Sequence, residues 1–501
     1  MKFGQRKGIS RKMKSRLTKW SFGIVIALCI IYAVLLIPDS SRPVSVAGEK
    51  EPFAWNRDEY WSHLESAFKQ ARQTDCRDLA PLISDRFAAI DSLLLPLRAD
   101  TLEPDAPLFA ALENAFFEQG VLLAACPENL NEYMRRFSQL RGLLKDQSIR
   151  WDMNSPAARN CLYRLLYGGR TAVEEVMMQA PKELIHQTVS GVDESSATPM
   201  AEILGVKIHS GDILISRGGA PTSALIARGN NYPGNFSHAA LVYVDENTGG
   251  VSIIESHIEK GVAVATIDDY LRDTKLRVMV LRLRADLPSM IADPMLPHEA
   301  AEYALQRAVS EHISYDFAMD TKEPSRLFCS EVVSDDYRHV GINLWAALSH
   351  ISSPGAISWL SAFGVRNFTT EEPSDLEYDP QLRVVAEWRD YETLYKDRLD
   401  NAVVDIMLES ADNGEQLDYD WYVLPPGRVL KLYSMILNQF NAVGPVPEGM
   451  NASAALRNKW FSNKHLAAKE RLMVLADKFK QEYGYLPPYW ELIKLAREAY
   501  K

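Results

Sequence analysis

The sequence predicts an α+β domain, an antiparallel sheet with packed helices, set between two helical regions and preceded by one transmembrane helix. Three observations carry that prediction. Short apolar runs separated by turn residues lie between Gly211 and Leu283, with helical periodicity resuming near Pro297. Apolar residues recur at helical spacing on either side, as at Leu108, Ala111, Leu112, Ala115 and Phe116, and at Leu472, Leu475, Ala476 and Phe479. Trp20 to Ile37 is an unbroken stretch without charge. A chain of 501 residues is too long for one compact core, so two or three domains are expected.

Taken in order, residues 1–19 form a basic head. Residues 1–20 hold eight Lys or Arg and no acid. The stretch 20–37 that follows is eighteen residues long. At ~1.5 Å per residue it just crosses a thin hydrocarbon core. Basic flanks stay in the cytoplasm, which predicts a single-pass protein of the inner (cytoplasmic) membrane with the remainder periplasmic or otherwise extracytoplasmic. The competing reading is a cleaved signal peptide, for which Ser45-Val46-Ala47 offers a small-residue site. That site lies ten residues past the apolar run, so an uncleaved anchor is expected. Cys29 lies inside the run behind Leu28, a poor lipoprotein signal. Residues 38–57 read as a linker.

The formal charge of −11 hides this asymmetry: beyond the first twenty residues the chain carries −19. Phosphate binding needs clustered cations, so nucleic acid is excluded as an expected partner. With 47% apolar and 24% charged residues the bulk should be ordered and globular.

Residues 58–185 predict a bundle of four to six helices, punctuated at Pro104-Asp105, Pro127 and Pro156. No chemical constellation stands out in it. Cys76, Cys126 and Cys161 all fall there, and in an oxidising compartment one pair is expected to join as a disulfide, with the pairing open. The α+β domain is expected over 205–370. It holds strands at Asp212–Ile215, from His238, at Val251–Glu255 and Gly261–Ala265, and a half-buried strand at Leu276–Leu283 with its arginines outward. Residues 375–501 return to helix, as an accessory region of unassigned role.

The chemistry concentrates in two short stretches. Leu327-Phe328-Cys329-Ser330-Glu331-Val332-Val333 reads as a cysteine opening an apolar helix, and Phe236-Ser237-His238-Ala239-Ala240-Leu241 as a histidine entering a buried strand. A helix N-terminus and a neighbouring imidazole are the two features that turn a thiol into a thiolate near neutral pH. His238 would take the thiol proton and later give it to a leaving group. A third polar residue must orient the imidazole. Glu255, at the end of an apolar run where an unpaired carboxylate would be costly, is the candidate, with His257 behind it. Tyr315, Ser237 and Ser330 are candidates for contacting substrate. Asp212 is expected to cap a turn, and Arg217 and Arg228 to be solvated loop charges. A zinc site on His238, His257 and Cys329 lacks a closely spaced ligand pair, so neither metal nor cofactor is expected.

Gly211-Asp212-Ile213-Leu214, Ser237-His238-Ala239, Tyr315-Asp316 and Phe328-Cys329-Ser330-Glu331 together resemble the permuted NlpC/P60 cysteine hydrolases, the YiiX/YebB/YaeF-like group of the papain-like superfamily. Ordinary members place the cysteine helix first; here it follows the strands, as in that group. The resemblance covers about a quarter of the chain, from Gly211 to about Trp345. It implies a permuted papain-like fold with Cys329 as nucleophile, His238 as base and Glu255 as orienting residue, Glu255 standing where ordinary members often have a histidine. It also implies amide hydrolysis through an acyl-thioester, with peptidoglycan stem peptides or amide-linked lipids as substrates and partners. The alternatives are a lipid acyltransferase or lipase, signalled by an apolar tunnel beside Cys329, and a catalytically degenerate binding or scaffold module.

Overall fold

The computed structural model of the chain describes residues 11–37, 50–440 and 442–501. The first ten residues of the basic head, and positions 38–49 with the cleavage site, lie outside the described residues. A seven-stranded antiparallel sheet organises the centre, in the order β1-β11-β8-β4-β5-β6-β7. Its strands are β1 (Thr188–Ser190), β4 (Ile213–Gly218), β5 (His238–Val244), β6 (Val251–His257), β7 (Gly261–Thr266), β8 (Lys275–Leu283) and β11 (Leu382–Trp388). Two small two-stranded sheets pair β2 (Met200–Ile203) with β3 (Val206–His209), a hairpin, and β9 (Ser349–His350) with β10 (Thr369–Thr370). The β2–β3 turn places Leu204 and Gly205 at positive φ, the geometry a two-residue hairpin needs to match strand twist.

Alternation along the strands makes two cores. Ile213, Ile215, Ala239, Leu241, Met279 and Leu281 pack under Ala300, Ala301 and Ala304 of the helix Leu296–Ser310 and Val332, Val333 and Tyr337 of the helix Cys329–His339. Leu214, Ala240, Val242, Ile253, Val278 and Val280 form the opposite core with Ile203, Ile208, Tyr270 and Trp388. The strand expected to be half-buried, β8, is therefore buried on both faces. Its arginines do not face water. Arg282 bonds both carboxylate oxygens of Asp212, at 2.8 and 2.7 Å, and Arg277 pairs with Glu174 and Asp397. Charge compensation from distant segments makes that burial tolerable.

The boundaries expected at 205–370 and 375–501 are corrected in the same way. β11 pairs with β8 and β1 with β11, so both extend the sheet at one edge, and residues 382–388 belong to it and not to a helical region. Arg383 and Glu387 interrupt the apolar pattern of β11 but are buried and paired, Glu387 with Arg141 at 2.5 Å and with Arg389. Arg217 and Arg228, expected as solvated, are also buried. Arg217 lies in β4 with its guanidinium 3.2 Å from Asp397, and Arg228 ends the helix Pro221–Arg228 with both oxygens of Asp405 at 2.8 and 3.0 Å.

The N-terminal helical region comprises Asp58–Ala71, Cys76–Ala99, Pro107–Ala125, Leu130–Ser148 and Pro156–Leu162, the last continuing through one wide turn into Gly169–Gln179. A disulfide joins Cys76 to Cys126, while Cys161 and Cys329 are free and buried. After the sheet come Tyr391–Asp412, Leu424–Asn438, Ala452–Tyr483 and Tyr489–Tyr500. Ahead of everything, Arg11–Leu35 is a single helix whose apolar portion is Phe22–Leu35. Among the described residues the helix long and apolar enough to span a bilayer by itself is Pro107–Ala125, and most of it is buried within the helical region.

Candidate active site

Two local constructions bring the key residues to one place. The helix Cys329–His339 begins at Cys329 because Phe328 is extended and the Glu331 carboxylate reaches back to accept the Phe328 N–H at 3.0 Å. The segment before it is tied to the sheet by the Ser256 hydroxyl, which donates to the Leu327 carbonyl at 2.7 Å. The second construction is the β5–β6 ladder. Its register pairs Ala240 with Glu255, which sets the Glu255 carboxylate diagonally across from His238 at the mouth of β5.

His238 Nε2 lies 2.7 Å from Glu255 Oε2, and His257 Nε2 lies 3.0 Å from Glu255 Oε1. The Cys329 thiol sits beside His238 and the Ala239 N–H, both of which favour its ionised form. Since Glu255 occupies Nε2, Nδ1 is the ring nitrogen left for the sulfur. Glu255 is almost completely buried, while His238 keeps 19% and His257 26% of its surface.

The electrostatics follow from this arrangement. Burial pushes the His238 imidazole down, but its hydrogen bonds to Cys329 and Glu255 and their charges outweigh that and raise its pKa to about 10. Burial pushes the Cys329 thiol up, and the His238 hydrogen bond and charge, with the Ala239 N–H, bring it below its ordinary value. Burial likewise opposes ionisation of Glu255, yet its two histidine partners hold it well below the usual carboxylate range. Both shifts favour a thiolate beside an imidazolium, backed by a carboxylate.

The triad opens into a cleft of about 500 Å³, lined by Cys329, His238, His257, Ser237 and Tyr315 and, on its rim, by Thr222, Ser223, Glu259 and Lys275. Tyr315 and Ser237 thus reach the space a substrate would fill. Ser330 does not: it is fully buried, because the second residue of the helix turns inward to the core. Asp212 accepts the His209 N–H at 2.8 Å in a turn, as expected, besides binding Arg282. Sequence reasoning missed the far wall. Pro447, Met450 and Asn458 line the cleft from the C-terminal region, with Asn458 accepting from Thr222 at 2.7 Å. Nothing in their local pattern distinguishes them from a loop and a helix surface.

A low-pKa thiolate at a helix N-terminus, with a protonated imidazole in contact, can attack a carbonyl and protonate the group it expels. Residues 207–386 match the family described as permuted papain-like amidase enzyme, YaeF/YiiX, C92 family. The matched span runs from β3 through the cysteine helix to β11, which agrees with the sheet better than a boundary at 370. No curated protein and no solved structure matches the chain. The chain thus carries a permuted papain-like cysteine hydrolase domain of the amidase kind.

Proposed function

We propose that this domain hydrolyses an amide in the bacterial cell envelope, with Cys329 as nucleophile, His238 as general base and acid, and Glu255 as the residue that orients it. The observation carrying this reading is His238 held between the Cys329 thiol and Glu255 Oε2 at the floor of a cleft. The Cys329 thiolate adds to the amide carbon, and N–H groups at the start of its helix stabilise the oxyanion. The His238 imidazolium then protonates the departing amine, leaving an acyl-thioester. Neutral His238 next deprotonates a water that attacks this thioester, releasing acid and thiolate.

Thr222, Ser223, Glu259, Asp273, Lys275 and Asn458 give the cleft donors and acceptors for a polar substrate, beside apolar surface from Ile226, Ile258 and Met450. Hydrogen-bonding groups in this number suit a peptide, so peptidoglycan stem peptides stand ahead of amide-linked lipids. The helix Arg11–Leu35, whose apolar side chains from Phe22 onward are mostly exposed, serves in this reading as the anchor in the inner membrane, with the domain outside the cytoplasm.

The test is mass analysis of purified cell wall and of lipid extract, each incubated with the protein. A new amine and acid terminus in the cell-wall pool, absent with Cys329→Ser, supports the reading. A product in the lipid pool alone transfers the activity to lipids. Equal reaction of wild type and Cys329→Ser with a thiol-reactive acyl probe ends the enzyme reading.

A further inference from the structure

The segment Trp421–Val443 departs from the chemistry of the rest of the surface. No acidic residue occurs from Trp421 to Pro447, in a chain whose net charge is −11. The helix Leu424–Asn438 and its flanks leave large apolar side chains in solvent: Trp421 at 66% exposure, Leu432 at 60% and Phe440 at 77%, with Tyr422, Val429, Tyr433, Met435 and Ile436 each about half exposed or more. Scattered apolar residues on a surface need no explanation, but this many on one helix and its ends form a contiguous face.

The inner side of this helix is polar and committed. Lys431 Nζ donates to the carbonyls of Pro447 and Glu448 at 2.8 and 2.9 Å, and the Ser434 hydroxyl accepts the Val446 N–H at 2.9 Å. Those bonds tie the helix to the strap that walls the catalytic cleft at Pro447 and Met450. The strap in turn joins β6's end, where the Gly449 N–H donates to the Ile258 carbonyl at 2.9 Å. On its outer side the same segment meets the N-terminal helix. The Tyr32 hydroxyl donates to the Tyr422 carbonyl at 3.0 Å, and Arg428 donates to the Ile37 carbonyl at 2.5 Å. Two unpartnered apolar surfaces therefore adjoin, one of them the stretch read as a membrane anchor.

We propose that the face made by Trp421, Tyr422, Val429, Leu432, Tyr433 and Phe440 docks in the headgroup layer of the same bilayer, so that the cleft strap stands at the membrane surface. Aromatic residues suit the boundary between acyl chains and water, and a segment without acids meets anionic headgroups without repulsion. The inference rests on the anchor reading of residues 20–37, and it adds that the cleft takes its substrate at membrane level.

The test uses the full chain in vesicles of phosphatidylethanolamine and phosphatidylglycerol, with a nitroxide at Phe440→Cys or, for comparison, at exposed Ile291→Cys on the hydrolase domain. Cys29→Ser and Cys329→Ser remove competing thiols, and Cys161 is buried in the helical core. The expected result is a label at 440 relaxed by oxygen and shielded from a water-soluble nickel chelate, with the opposite at 291. Protein left in the supernatant would overturn anchor and docking face together. Retained protein with equal chelate access at both positions would overturn the docking face alone. Spin–spin broadening at 440 with oxygen excluded would assign the face to a second copy and also overturn it. A second measurement follows Cys329 alkylation in the chain with its native thiols. Leu432→Asp with Phe440→Asp should slow reaction with a phosphatidylethanolamine-linked iodoacetamide at least ten-fold relative to free iodoacetamide. An unchanged ratio would overturn the placement of the cleft.

Discussion

Two clusters of buried charge sit against one sheet, and only one of them has the attributes of a reactive site. In the first, Cys329, His238, Glu255 and His257 meet at the ends of β5 and β6. In the second, Arg277 on β8 pairs with Glu174 at 2.6 Å and Asp397 at 2.5 Å, and Arg217 on β4 lies 3.2 Å from the same Asp397. Both clusters hold a carboxylate below its ordinary pKa against the cost of burial. Glu174 is lowered to about 2, where Arg277, Arg170 and Arg389 overcome desolvation. Neither burial nor pKa shift therefore separates function from structure. Solvent access and a nucleophile do: His238 and His257 face a cleft, whereas all four members of the arginine cluster are at most 3% exposed. The second cluster joins the helices Gly169–Gln179 and Tyr391–Asp412 to the sheet, so its work is to hold both helical regions on the domain.

The sharpest test of that division is a pair of substitutions with opposite consequences. Cys329→Ala should reduce amide hydrolysis by about 10⁴-fold or more, since loss of a nucleophile removes the covalent route. Its thermal unfolding midpoint should stay within a few degrees of wild type. Asp397→Ala should do the reverse, leaving Arg217 and Arg277 short of a buried counter-charge and costing about 3–5 kcal/mol in denaturant unfolding. Turnover per folded molecule should be unaltered. An Asp397→Ala protein of normal stability would remove the distinction between the clusters.

The same contrast explains what sequence reading reached. Cys329, His238 and Glu255 each carry a local mark: a thiol at the start of an apolar helix, an imidazole at the start of a strand, a carboxylate in an apolar run that must find a partner. Arg217, Arg277, Arg383 and Glu387 carry none, because their partners lie on other elements, up to 246 residues away for Arg141 and Glu387. A charge compensated at such range breaks the apolar pattern without replacing it, so β8 read as half-buried and β11 as helix. The cleft wall at Pro447, Met450 and Asn458 was hidden for a related reason: tertiary docking, not residue type, makes it part of the site. Ser330 failed on direction alone, being adjacent to Cys329 yet turned into the core.

Next in size is Glu255→Gln, expected to lower hydrolysis by about 10²-fold, the scale of a misoriented base. Its pH profile carries more information than its rate. Glu255 helps raise His238 to about 10, so its removal lowers that value, and the weakened imidazolium lets the Cys329 pKa climb. In wild type, hydrolysis should rise as the thiolate forms below the ordinary cysteine value and fall as the imidazolium is lost near pH 10. In Glu255→Gln the acid limb should move up and the alkaline limb down, narrowing the bell. Alkylation by iodoacetamide needs only the thiolate, so its profile should show the acid-limb shift and no alkaline fall. A uniform drop in rate with an unmoved bell would mean that Glu255 acts on the fold rather than on the imidazole.

The smallest effect belongs to His257, and it decides which residue of β6 is primary. Its Nε2 bonds Glu255 Oε1, the oxygen that His238 does not use, so it reaches the nucleophile only through the carboxylate. His257→Ala should therefore cost about 3- to 10-fold in hydrolysis, or about 0.6–1.4 kcal/mol, the worth of one hydrogen bond to an already oriented group. Combined with Glu255→Gln it should add almost nothing, since its path to His238 is already cut. If His257→Ala is the more damaging of the two, and the double variant falls by the product of the singles, then His257 orients His238 directly and the carboxylate is the accessory.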